Sequence, residues 1–263
     1  MTLTRIMCVG PGRLIEAACS LSFDHNILST IDQTIIVSPC TESHLKQTWQ
    51  QFNIDYTKLQ FVQDSNIPGL NRWTSSGWYL QQGIKLSLLD SIESDYFLIQ
   101  DCDVFLLDPW TPFDTRINFR VEYIWNPQQL VYADAVEQLT GFKRVEDCSF
   151  VTEIFPLSKK DWLACSQQIT QHTGKDWRDA IPDLHPFDES KWFSEYELLG
   201  ICKTNLDDNY TVSLDPFHPD VWTWDDVWTA DWRSVSVIKC RAQPFKFMDE
   251  TQAHQAIEFF KNV

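Results

Sequence analysis

Residues 95–103 read Asp95-Tyr96-Phe97-Leu98-Ile99-Gln100-Asp101-Cys102-Asp103. Tyr96–Gln100 is apolar enough to be buried on both faces, as central parallel strands are, and it runs straight into two carboxylates separated by one residue. Upstream, short apolar runs alternate with helical patterns. Arg5–Gly10 reads as a buried strand broken by Gly10-Pro11-Gly12, after which Leu14, Ala17, Ala18 and Leu21 recur at helical spacing. Thr34–Ser38 is a second strand, stopped by Pro39, and Thr41 or Ser43 is placed to cap a helix through Trp49. Leu59–Gln63 is a third strand, and a longer helix is expected over about residues 73–89, with Trp73, Leu80, Ile84 and Leu88 on its apolar face. This βαβαβαβ order predicts a doubly wound α/β sheet. Ligands of such sheets bind beyond the carboxyl ends of the strands, so the residues after Gln100 are where a site belongs.

Beyond residue 126 the pattern is less regular. Helices are expected at about 128–139, 159–172, 194–202 and 252–261, strands near 149–155, 210–214 and 234–240, and a Pro-containing loop up to Trp192. The change falls near residues 115–125 without a Gly/Ser linker. One body with a shared core is therefore expected over 1–263.

Composition narrows the partners. Lys and Arg total 21 against 37 Asp and Glu, a formal charge of −16, which disfavours nucleic acid and anionic membrane as main partners. Eight cysteines are scattered with no CxxC pair, so neither a zinc ribbon nor a disulfide framework is indicated, and a reducing cytoplasm is the expected compartment. No stretch has the roughly 18 consecutive apolar residues that mark a membrane span. The 12 Trp, dense between Trp177 and Trp232, either plug a small second core or stack on sugar or base rings.

Asp101 and Asp103 carry the sharpest chemistry. Two carboxylates two residues apart, on an extended segment starting to turn, can approach one hard cation whose other ligands are diphosphate oxygens and water. Such a cation offsets charge building on a leaving diphosphate. The plain alternative is a solvated strand end. Around the pair stand Gly77–Leu86 (GWYLQQGIKL), Asp95–Asp103 (DYFLIQDCD), Ser149–Phe155 (SFVTEIF) and Phe193–Gly200 (FSEYELLG), in that order.

Together these motifs resemble a family of GT-A-type glycosyltransferases, usually described as of unknown function and associated with surface-polysaccharide genes, over about residues 70–205. The resemblance implies a GT-A fold with a mostly parallel central sheet flanked by helices. Residues 1–120 would form the nucleotide-binding half and 121–263 a less regular acceptor half. It also implies a nucleoside-diphosphate-sugar donor and Mn2+ or Mg2+, with Asp103 on the metal and Asp101 on the ribose or a metal-bound water. Cys102, between them, is expected to be a packed thiol. Lys85 is expected to neutralise diphosphate and Gln81 to bond sugar or base, with Arg72 just before their helix. Arg13, in the loop after the first strand, is expected to touch phosphate; Gly10-Pro11-Gly12-Arg13 is not a GxGxxG dinucleotide turn. Glu195 is expected to take the proton from the acceptor hydroxyl, ahead of Asp188 and Glu153, while Ser194 and Glu197 have the spacing of a capping box. His218 is a candidate third metal ligand, and His185 has the same standing.

The function expected is therefore sugar transfer from a nucleotide sugar to a glycan or other hydroxyl acceptor. Two rivals remain. One is a carbohydrate-binding or degenerate transferase-like module without turnover. The other is a phosphotransferase in which Asp101 is the nucleophile and Lys203 with Asp207 or Asp208 completes the site.

Overall fold

The computed structural model describes residues 1–22, 31–52, 54–73, 77–106, 112–113, 116–121, 127–152, 154–184, 193–214, 237–239 and 249–260. In chain order these form β1 (Leu3–Cys8), α1 (Leu14–Ser22), β2 (Gln33–Ser38), α2 (Glu42–Trp49), β3 (Leu59–Gln63), α3 (Gly77–Ser91), β4 (Tyr96–Asp101), β5 (Val104–Leu106) and β6 (Ile117–Val121). There follow α4 (Pro127–Thr140), β7 (Ile154–Ser158), α5 (Lys159–Thr173), α6 (Trp177–Leu184), α7 (Glu195–Leu206), β8 (Tyr210–Leu214), β9 (Val237–Lys239) and α8 (Glu250–Phe260).

The main sheet has the order β3-β2-β1-β4-β7. β1, β2 and β3 are parallel, with Ile6 opposite Ile35 and Ile36 opposite Phe61. β1 is buried at every position and β2 at all but its first residue, which is why both read as continuous rather than alternating hydrophobic strands. Two small ribbons lie outside this sheet: β5 with β9, antiparallel, and β6 with β8, parallel.

The chain divides into two compact units, each gathered from three separated stretches: 1–3, 65–99 and 112–214, and 4–64, 100–111 and 215–263. In the unit containing α1, Met7, Val9, Ala17, Ala18, Leu45, Trp49, Cys102, Phe105, Ala253, Ala256 and Ile257 form one buried cluster. Helix α2 is tied into it by Trp49, whose indole N–H donates to the Leu14 carbonyl at 2.7 Å. In the other unit the core is aromatic. Trp177 lies edge-on to both Trp73 and Trp162, and Phe119 packs between Phe150 and Phe155. Trp73, Trp162 and Trp177 thus plug a core, the packing alternative; Trp192, Trp222, Trp224, Trp228 and Trp232 lie outside the described residues.

Three elements differ from the sequence expectation. Helix α3 begins at Gly77, leaving Trp73 ahead of it, buried against Gly83. β7 begins at Ile154 rather than Ser149, because the Phe150 backbone N–H is taken by the Glu197 carboxylate at 2.8 Å. The stretch expected as a loop before Trp192 contains α6, which Pro182 concealed.

Candidate functional site

Asp101 is the last residue of β4, and Cys102 and Asp103 make the turn into β5. Cys102 is buried in the unit's apolar cluster, whereas the Asp103 side chain is 23% exposed. Burial first, then the neighbouring carboxylates of Asp103 and Asp101, hold the Cys102 thiol far on its protonated side. It is a packing residue.

The loop after β1 reaches the same turn. Arg13 closes that loop through its backbone N–H to the Gly10 carbonyl (3.0 Å) and starts α1 by accepting from the Ala17 N–H (3.0 Å). Its Nη1 lies 3.7 Å from Asp103 and 3.0 Å from Glu16. Burial disfavours the guanidinium charge, but Asp103 and Glu16 outweigh burial and raise its pKa. Arg13, Asp101 and Asp103, read from the sequence as one donor site, are thus gathered by the ends of β1 and β4, neighbours in the sheet.

Beneath the turn lies a polar set that sequence reading missed. Arg5, wholly buried in β1, donates to Thr34 Oγ1 (3.1 Å) and to Gln100 Oε1 (3.5 Å). The Gln100 amide donates to Ser20 Oγ (2.9 Å) and to the Val104 carbonyl (3.1 Å), and the Ser20 hydroxyl donates to that same carbonyl at 2.7 Å. Gln100 and Val104 flank the Asp101–Asp103 turn, so this network pins it from both sides. A lone arginine in the apolar run RIMCVG was the available signal, since a strand buried on both faces holds a charge only where partners await it.

The remaining candidates belong to the other unit. Lys85 and Glu195, read as donor ligand and acceptor base, face each other: Lys85 Nζ donates to Glu195 Oε1 at 2.6 Å and to the Tyr196 hydroxyl at 3.1 Å. Their side chains are 2% and 1% exposed. Gln82 Oε1 accepts from the Glu195 backbone N–H at 3.0 Å, fixing the α7 entry; Gln81 beside it is half-buried. Ser194 accepts from the Glu197 N–H at 3.4 Å, the forward bond of a capping box, while the Glu197 carboxylate goes to Arg144 and the Phe150 N–H. Burial raises the Glu197 pKa above its ordinary value, by more than Arg144 and the Phe150 N–H lower it. Arg72 is bound to Asp179 and Asp183 of α6. Lys203 is held by Asp161 (2.9 Å) and Asp207 (2.8 Å).

Asp188, Glu153, His218 and His185 lie outside the described residues. Among the described residues, no three His, Cys, Asp or Glu gather as a ready metal site. Asp101 and Asp103 fit a different mode, in which a hard cation takes one or two carboxylates and completes its octahedron with substrate phosphates and water. Also among the described residues, no helix is long and apolar enough to cross a membrane.

A family model described as a family of unknown function, DUF6492, matches residues 21–254. The chain belongs to DUF6492. No curated protein matches this DUF6492 chain. Among solved structures it is similar to the galactosyltransferase LgtC in complex with donor and acceptor sugar analogs. That likeness has a TM-score of 0.52 at 10% identity, covering 99% of this chain and 96% of LgtC. It is also similar to the apo structure of the bifunctional glycosyltransferase WbbM, with a TM-score of 0.53 at 8% identity over 97% of this chain; the DUF6492 chain spans 49% of WbbM. At such identities the likeness is one of fold. The architecture of this DUF6492 member is that of GT-A glycosyltransferases, as the resemblance implied.

Proposed function

We propose that this chain is a divalent-metal-dependent glycosyltransferase that moves a sugar from a nucleoside-diphosphate sugar to a hydroxyl acceptor. The observation that carries the reading is the convergence of the Arg13 guanidinium on the Asp101–Asp103 turn at the carboxyl ends of adjacent strands. Open α/β sheets bind nucleotides in that position.

In this reading Asp103, with Asp101, holds Mn2+ or Mg2+ against the donor diphosphate. When bound, the ion supplies Lewis-acid stabilisation of the departing diphosphate. Arg13 supplies a second, permanent positive charge from the β1 side, in a planar fork suited to phosphate oxygens. The Arg5–Gln100–Ser20 network keeps the carboxylate turn in one shape, so little reorganisation accompanies donor binding. The fold likeness to LgtC, whose structure holds donor and acceptor sugar analogs, supports the same substrate class.

Thermal shift against UDP, GDP, dTDP and their sugar conjugates, with and without Mn2+, tests the reading, because a ligand that binds only the folded state raises apparent stability. One nucleotide is expected to stabilise the protein in an Mn2+-dependent way. Asp103→Ala is expected to abolish that shift while altering unfolding stability by no more than about 1 kcal/mol, since a part-exposed turn carboxylate contributes little to the core. Stabilisation by free glycans without any nucleotide response would instead identify a carbohydrate-binding module.

A further inference from the structure

Cys165 of α5 and Cys202 of α7 stand 37 residues apart in the chain and meet in the interior, where the Cys165 thiol donates to Cys202 Sγ at 3.1 Å. That separation is only about 1 Å longer than a disulfide bond. Each cysteine is 1% exposed. Burial first, then the hydrogen bond to Cys202, keeps the Cys165 thiol far on its protonated side. The two helices are also tied to each other close by. Lys203, the residue after Cys202, donates to Asp161, one turn before Cys165, at 2.9 Å, and both side chains of that ion pair are buried. Two sulfurs held face to face on packed helices have little conformational freedom left to lose when a bond forms between them.

We propose that Cys165 and Cys202 are a modification site, a dithiol that closes to a reversible disulfide between α5 and α7 with a small disulfide such as oxidised glutathione as the oxidant. The thiolate of one cysteine attacks a glutathione sulfur, breaking the glutathione S–S bond and expelling one glutathione thiolate. The other cysteine then attacks the protein sulfur of that mixed disulfide and expels the second. Two protein S–H protons end on the two glutathione thiolates, so the protein is oxidised by two electrons and the glutathione disulfide is reduced by two. Because the closed fold seals both sulfurs from solvent, the first attack takes place from a local opening of α5 against α7 and is slow. The equilibrium, by contrast, is set by how well the folded pair fits the bond. The disulfide closes the chain from 165 to 202, a stretch that carries α6 and the Glu195 end of α7, and adds a covalent tie beside the Asp161–Lys203 pair. This inference goes beyond the donor-site reading and does not depend on it.

Equilibration of the full chain with mixtures of reduced and oxidised glutathione, once in native buffer and once in concentrated urea, tests this. Acid quenching, alkylation and peptide mapping by mass spectrometry then give the fraction of chains carrying a Cys165–Cys202 bond. The equilibrium constant for that bond is expected to be roughly 30- to 1,000-fold larger in the folded chain than in the unfolded one, the range typical of a disulfide that fits its fold. Linkage requires the converse: the oxidised protein should melt roughly 4–15 °C above the reduced one, and dithiothreitol should reverse the gain. Cys202→Ala is expected to abolish both the bond and the gain. Should Cys202→Ala fail to fold, the comparison of folded and unfolded wild-type chains decides the matter by itself. A Cys165–Cys202 bond that forms no more readily in the folded chain than in urea overturns the proposal and leaves a packed pair of thiols. So does a native chain in which Cys165 or Cys202 is found joined to glutathione or to another cysteine instead.

Discussion

Gly200, on α7, has no room for a side chain: a Cβ there would lie 2.1 Å from Cγ of Phe150. Phe150 is itself fully buried and packed edge-on to Phe119 and Phe155, so the ring cannot retreat. Gly200→Ala is expected to destabilise the fold by about 1–3 kcal/mol, the usual range for overpacking a filled core, as read by urea unfolding. Lys85 poses the converse problem. Lys85→Met removes the ammonium from the buried Glu195 carboxylate and is expected to reduce stability by about 3–5 kcal/mol, whereas Lys85→Met with Glu195→Gln should regain much of it. The same denaturation curves distinguish a structural ion pair from two independent functional groups. At this scale the sequence was legible where a residue's place follows from its own strand: Asp101, Asp103 and Arg13 stand at the ends of β4 and β1, as their neighbours implied. It was not legible for Lys85, Glu195 and Arg72, because spacing on one helix says which face a charge occupies and nothing about the distant partner that meets it.

Helices and strands were read best where burial was uniform. β1, β2 and β4 are apolar runs with turn residues at their ends, and α5 and α7 are capped by Ser158 and Ser194, each accepting from a backbone N–H three residues on. Two of the misreadings have different causes. Glu197 claims the Phe150 N–H and delays β7, and α6 forms around Pro182 because Trp177, Ala180 and Ile181 bury one face of it. On the outer side of α6, hydrogen bonds from Arg72 and then Lys175 hold the Asp183 carboxyl down at about 2. A depressed carboxylate stabilises the fold at every pH above its unfolded value and loses that contribution as pH falls through its folded one. Thermal stability is therefore expected to contain an acid-labile part between roughly pH 4 and pH 2. Asp183→Asn should remove it, and high salt should blunt it, because the cluster is solvent-facing and screened. Melting curves at pH 5, 3 and 2 with low and high salt check both statements.

For the molecule as a whole, the α/β class followed from the order of strands, because an alternating pattern admits few topologies. The late ribbons did not. β5–β9 and β6–β8 join short strands separated by long stretches of chain, and nothing within three or five residues announces such a partner. One consequence concerns the birth of the protein on the ribosome. Ala253, Ala256 and Ile257 of α8 complete the same buried cluster as Met7, Val9, Ala17 and Ala18 near the start of the chain. At elongation rates of 5–20 residues per second, the nascent β1–α1 segment waits roughly 10–50 s with its apolar face uncovered before the residues that cover it are made. That unit cannot be finished while its later parts are still being translated. Chaperone capture during that interval, more than the stability of the finished fold, would then govern how much of the protein escapes aggregation in a cell.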